Sequence, residues 1–120
     1  MKYALLIYED ENAYGGHDSP AMQAVIGKHM TFASDAGAAI TGGAGLRGTA
    51  AATTVRTEAG GQTLHDGPFA ETKEQLGGFY LVDAPDLDAA LAIARAVPLH
   101  GHGAVEVRPL LPMPGEPDGA

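Results

Sequence analysis

The chain has 120 residues, the length of one ordinary domain with a single core. Fifteen acidic against seven basic residues give a net charge of −8, which disfavours a nucleic-acid backbone or an anionic membrane surface as partner. There is no cysteine, so disulfide and thiolate chemistry are excluded, and no apolar run approaches the roughly 20 residues of a membrane span.

Tyr3 to Tyr8 is apolar on both alternating faces, with Tyr3, Leu5 and Ile7 on one side and Ala4, Leu6 and Tyr8 on the other. A strand buried on both sides reads this way. It starts after a single Lys and without a small-residue cleavage pattern, so no signal peptide and a cytoplasmic location are expected. Glu9-Asp10-Glu11-Asn12 ends the strand and opens an acidic loop to Asp18. Ser19-Pro20 predicts a helix start, with Ser as N-cap and Pro at the first helical position. The helix runs to about Ala36, and Gly37 suits the position past its end. Its apolar stripe is Met22, Val25, Ile26, Phe32, Ala33 and Ala36. His29 falls inside that stripe, four after Val25 and three after Ile26.

Ala38 to Ala44 is a weak second strand, and Gly45 to Ala52 a small-residue loop carrying Leu46 and Arg47. Thr53–Thr57 and Gln62–His65 flank Gly60-Gly61 and predict a short hairpin, with glycine supplying positive φ. The excursion ends at Asp66-Gly67-Pro68-Phe69, a turn in which Pro68 fixes its own φ and keeps Gly67 out of a helix. A polar run, Glu71-Thr72-Lys73-Glu74-Gln75, follows. Gly77-Gly78 reads as a flexible pair closing this loop, and Phe79 to Asp83 as the next core strand. Asp86 after Pro85 caps a second helix, whose buried stripe is Leu87, Ala90, Leu91 and Ala94. Pro98 ends it, and Leu99 to Gly103 is a loop. Val105 to Arg108 alternates as a half-buried or edge strand. Pro112 to Ala120 reads as a disordered tail behind a domain spanning 1–111.

The order predicts an α+β fold of ferredoxin-like βαββαβ type with an inserted hairpin, an antiparallel sheet carrying two helices on one face. Two helices cover one side of the sheet. The first strand and Phe79-Tyr80-Leu81-Val82 are apolar on both sides, so a second copy is expected over the open face, making a homodimer.

The run Asp-Gly-Pro-Phe, then Ala-Glu-Thr-Lys-Glu and Gly-Gly-Phe-Tyr, closely resembles the signature of the DGPF-domain branch of the YCII-related family. Lys2 to Asp10 is similar to the first strand of that family and Val105 to Pro109 to its last, so the resemblance covers residues 1 to about 111. It implies a dimeric α/β-barrel architecture. Proteins of the wider family carry a His on the first helix and an Asp nearby that are proposed as an active-site pair. The resemblance places His29 at that helix position and Asp66 as the matching acid. It also implies association with an extracytoplasmic-function sigma factor as a regulatory alternative to catalysis.

From the residues themselves, His29 is either an acid–base group tuned in a pocket or a core histidine satisfied by one hydrogen bond. Asp66 could orient His29, act as a base, or cap its own turn. Phe69, Lys73 and Tyr80 of the signature stretch are the expected substrate contacts. Glu71, Lys73 and Glu74 form either an ion-pair network at a pocket mouth or a solvated surface. His100 and His102 offer two imidazoles on a glycine-rich loop, short of the three or four ligands of a metal site, so no metal is expected. No phosphate-binding loop, dinucleotide fingerprint or nucleophile elbow occurs. By analogy with related dimeric α/β-barrel enzymes, the resemblance implies cofactor-free proton transfer on a small molecule, of lyase or isomerase type. The alternative is a non-catalytic ligand-binding or regulatory dimer.

Overall fold

Residues 1–16 and 18–116 are described by a computed structural model. Strand β1 (Lys2–Glu9) leads through a 3-10 turn (Glu11–Tyr14) to helix α1 (Pro20–Ala36), then β2 (Ile40–Gly45), β3 (Thr53–Glu58) and β4 (Gly61–Asp66). Strand β5 (Gln75–Asp83), helix α2 (Leu87–Arg95) and β6 (Gly103–Pro109) complete the order. The main sheet runs β2-β5-β1-β6, with every neighbouring pair antiparallel. This is the ferredoxin-like arrangement expected. Among the described residues, strands β3 and β4 pair only with each other, as the inserted hairpin.

Both helices begin as their sequences dictate. The Ser19 hydroxyl accepts the Met22 amide, Pro20 occupies the first turn, and the Asp86 carboxylate accepts the Ala89 amide. Gly37, at φ 56°, ends α1 and returns its N–H to the Ala33 carbonyl. The core forms where one face of the sheet meets both helices. Tyr3, Leu5, Ile7 and Val82 of the strands are buried against Phe32 of α1 and Ala90 and Ala94 of α2.

Three details differ from the sequence reading. The buried stripe of α1 is narrower, with Val25 and Phe32 buried, Met22, His29 and Ala36 half-buried, and Ile26 and Ala33 exposed. These inward residues recur at i, i+3, i+7, i+10 and i+14, a seam along one line of contact. In α2, Ala90 and Ala94 carry the burial, while Leu87, at the first helical position, is 49 % exposed. Gly77-Gly78 lies inside β5 rather than in a loop. The register against β1 slips there, so that Ile7 faces Gly78 while Tyr8 faces Leu76, and Gly77 is the extra residue of a bulge. The Gly77 carbonyl accepts the Leu46 amide, and a Cβ on Gly78 would stand 2.9 Å from the Ala44 carbonyl oxygen. Gly78 lets two strands approach, where flexibility was expected.

The other face of the sheet, carrying Ala4, Leu6, Phe79 and Leu81, has no helix over it among the described residues and is half-buried within the single chain. Past Pro109 the Leu110 amide bonds to the Lys2 carbonyl, and a turn joins Glu116 to Met113. Residues 117–120 of the expected tail lie outside the described residues.

Candidate functional site

On the helix-covered face, His29 projects from the middle of α1 toward β5. Its Nδ1 lies 2.8 Å from the Tyr80 hydroxyl, with the two rings nearly parallel and 5.8 Å apart. Phe32, one turn further along α1, meets the Tyr80 ring at 5.0 Å in a tilted contact. Tyr80 points inward because Val82, two residues on, is a core residue of the same strand face. Helical period and strand alternation thus bring the two polar groups together.

The environment drives their protonation in opposite directions. Burial pushes the His29 imidazole below its ordinary value, against the charge of Glu9, which favours the protonated ring. Burial pushes the Tyr80 phenol up. His29 is therefore neutral and Tyr80 protonated at neutral pH.

Glu9 stands at the end of β1 on the face of Tyr3, Leu5 and Ile7. Its Oε2 accepts the Tyr14 hydroxyl at 2.6 Å and the His100 amide at 2.9 Å. The Tyr14 and His100 rings lie 5.0 Å apart. Tyr14 is buried, and that burial, with the bond to Glu9 and its charge, holds the phenol well above its usual range. The sequence reading missed this group. Tyr14 falls in what read as an acidic loop, and Glu9 read as a strand terminator. The alternation of Tyr3, Leu5 and Ile7 would have placed Glu9 on the inner face.

The other expected site residues lie apart from His29. Asp66 ends β4 opposite Thr53, is exposed, and is absent from the contacts of His29 among the described residues. Gly67 beside it, at φ 139°, bonds through its N–H to the Ala52 carbonyl and through its carbonyl to the Thr54 hydroxyl, which fixes the base of the hairpin. Phe69 is 76 % exposed, with the Arg56 guanidinium 5.2 Å above its ring. Lys73 lines a polar cavity of about 270 Å³ with Asp10, Glu11, Thr49, Glu71 and Gln75. Of the three expected substrate contacts, only Tyr80 reaches His29. Glu71, Lys73 and Glu74 are exposed, and no ion pair joins them among the described residues. The loop is instead held by Gln75, whose amide donates to the Ala70 and Thr72 carbonyls. Arg108 pairs with Glu106 at 2.9 Å. No metal-ligating cluster that includes His100 or His102 occurs among the described residues.

A groove of about 400 Å³ between the helices adjoins the His29–Tyr80 pair. Its walls are mostly apolar and include Phe32, Ala36, Ile93 and Pro98. Phe32, one wall of the groove, meets the Tyr80 ring at 5.0 Å, so the groove reaches the pair through Phe32.

Comparison with known proteins gives two matches. The YCII-related domain matches residues 1–114. An uncharacterised protein of Rhizobium meliloti (strain 1021) is 42% identical over 125 residues, spanning 97% of this chain and 98% of its own.

Proposed function

The chain belongs to the YCII-related family, and we propose that it is a small-molecule enzyme whose acid–base pair is His29 and Tyr80. The observation that carries this reading is the 2.8 Å contact between His29 Nδ1 and the Tyr80 hydroxyl. Two titratable groups whose environments drive their protonation apart are suited to opposite roles. His29, held neutral, takes a proton, and Tyr80, held protonated, supplies one. Removal of a proton from one carbon and its return to another is an isomerisation. Removal with departure of a neighbouring group is an elimination. The adjoining apolar groove suits a small molecule with an aromatic or aliphatic body. In this reading Asp66 shapes the hairpin base, and Phe69 and Lys73 of the signature loop lie outside the reacting pair.

The enzyme is a homodimer through the open sheet face. Ala4, Leu6, Phe79 and Leu81 form an apolar surface there, with both helices packed on the opposite face among the described residues.

The experiment is deuterium exchange. A panel of small carbonyl and aromatic compounds is incubated with the protein in D₂O, and exchange at acidic C–H positions is followed by NMR. The expected result is catalysed exchange with at least one class, lost in His29→Gln and strongly reduced in Tyr80→Phe. Exchange that is unaffected by both substitutions sinks the reading.

A further inference from the structure

We propose that the polar cavity under the signature loop is a second binding site, for a small zwitterion whose ammonium meets Glu71 and whose carboxylate meets Lys73. The cavity holds about 270 Å³. That is the space of roughly nine waters at about 30 Å³ each, so its ligand is small. It shares no lining residue with the groove beside His29. It lies at the start of β5, where Gln75 on its wall pairs with Glu9, whereas Tyr80 pairs with Leu5 further along the strand.

Both walls are held by bonds that leave two charged side chains over. On one side β1 runs out at Glu9 into the 3-10 turn Glu11–Tyr14. The Asp10 carboxylate accepts the Asn12 amide at 3.0 Å, and the Glu11 carboxylate accepts the Thr49 amide at 2.9 Å and the Thr49 hydroxyl. On the other side the Gln75 side-chain amide donates to the Ala70 and Thr72 carbonyls, and the Thr72 hydroxyl donates to the Glu74 carbonyl. The loop backbone is thus fixed without Glu71 or Lys73. These two line the cavity, two positions apart and opposite in charge. Neither side chain has an ion pair or hydrogen bond among the described residues. A fixed frame with its charges unpaired is preorganised for a ligand that brings both signs.

The lining decides the chemistry. Apart from Pro68 it is polar, so it does not suit an apolar body. Asp10, Glu11 and Glu71 set three negative charges against the single ammonium of Lys73, which repels a simple anion. A bare metal ion is disfavoured too, since no metal-ligating cluster occurs among the described residues. Asp10 and Glu11 already accept backbone amides, so Glu71 is the carboxylate left for an ammonium. Two residues of chain span at most about 7 Å, so the long side chains of Glu71 and Lys73 can both reach one small molecule. An α-amino acid, with its ammonium and carboxylate on one carbon, has the size and the charges for this cavity.

The test is a titration of the full-length protein with L-serine, a zwitterion polar throughout, followed by amide NMR. It is run at low ionic strength, where exposed charges are least screened. Saturable shifts are expected in residues 10–12 and 71–75. Glu71→Gln and Lys73→Met are each expected to weaken binding about tenfold, the effect of one lost charge-assisted hydrogen bond. Glu74→Gln removes the same charge from the same loop but lies off the cavity wall, and is expected to bind as the parent does. All three side chains are exposed, so the variants are expected to keep the parent's melting temperature. Ethanolamine, which lacks the carboxylate, and acetate, which lacks the ammonium, are expected to bind about tenfold more weakly than L-serine. Absence of saturable shifts with L-serine overturns the proposal. Equal weakening by Glu71→Gln and Glu74→Gln overturns it as well, since the effect is then one of overall charge. So does ethanolamine binding as tightly as L-serine, which leaves Lys73 idle. Magnesium chloride that produces the same shifts and displaces L-serine assigns the cavity to a cation and also overturns it.

Discussion

His29 and Tyr80 are joined by a 2.8 Å hydrogen bond across 51 positions of sequence. One lies on a helix and the other on a strand beneath it, so the bond also fixes how α1 rests on the sheet. The Tyr80 ring is held from α1 twice, by His29 at its hydroxyl and by Phe32 at its face.

Tyr80→Phe keeps the ring and its contact with Phe32 but removes the hydroxyl. A net hydrogen bond of this kind contributes about 1 kcal/mol. Urea unfolding is expected to show a loss of that order, with an unchanged slope against denaturant. A stability equal to the parent would mean that water replaces the phenol without penalty.

Stability should depend on pH through His29. Its folded value is lowered, so in mildly acid solution the unfolded chain binds a proton that the folded chain refuses. The native state is therefore destabilised as pH falls below the ordinary histidine value of about 6.5 and on toward the lower folded value. Unfolding midpoints at pH 7.5 and pH 5.5 should differ more in the parent than in His29→Gln, which has no such proton to gain. Equal differences in the two proteins would show that His29 is not the cause.

The glycine pair in β5 divides by position. At Gly78 an added methyl meets the Ala44 carbonyl at 2.9 Å, whereas at Gly77 it meets open space. Forcing an atom into such a contact costs about 1–3 kcal/mol. Gly78→Ala should therefore lower the melting temperature clearly and Gly77→Ala much less. A reversed order would contradict the bulge geometry.

Assembly is tested on the open sheet face. Leu6 lies on that face at the centre of the sheet, between Phe79 on one side and Glu106 on the other. The parent protein is expected to scatter light as twice the mass of one chain, and Leu6→Lys, which places a charge in the apolar surface, as a single chain. A parent that scatters as a monomer at micromolar concentration removes the dimer.

What the sequence disclosed and what it hid follow from the range of the interactions. The caps of α1 and α2 were legible because Ser19 and Asp86 bond to amides three residues ahead. The inward face of His29 was legible because Val25 and Phe32 share its helical period. The partner of His29 was not, since the choice of Tyr80 over Asp66 depends on which strand lies under the helix. Asp66 attracted attention through its motif, yet it closes the hairpin, where the Thr54 hydroxyl and the Ala52 carbonyl hold Gly67. Glu9 and Tyr14 were hidden for another reason. Their bond spans five residues, but it forms through a 3-10 turn that left no periodic trace.

The β3–β4 ribbon has its own consequence for handling the protein. Both strands are exposed along nearly their whole length, and they join the rest at their base. An isolated pair of strands is only marginally stable in water. The Ala59–Gly60 turn between Glu58 and Gly61 is therefore a natural place for a fluorescent reporter or an affinity tag, since a graft there leaves the bonds around His29 and Glu9 in place. The same feature makes the ribbon the first segment that a protease would nick, and the fragments would stay associated through the β2-β5-β1-β6 sheet.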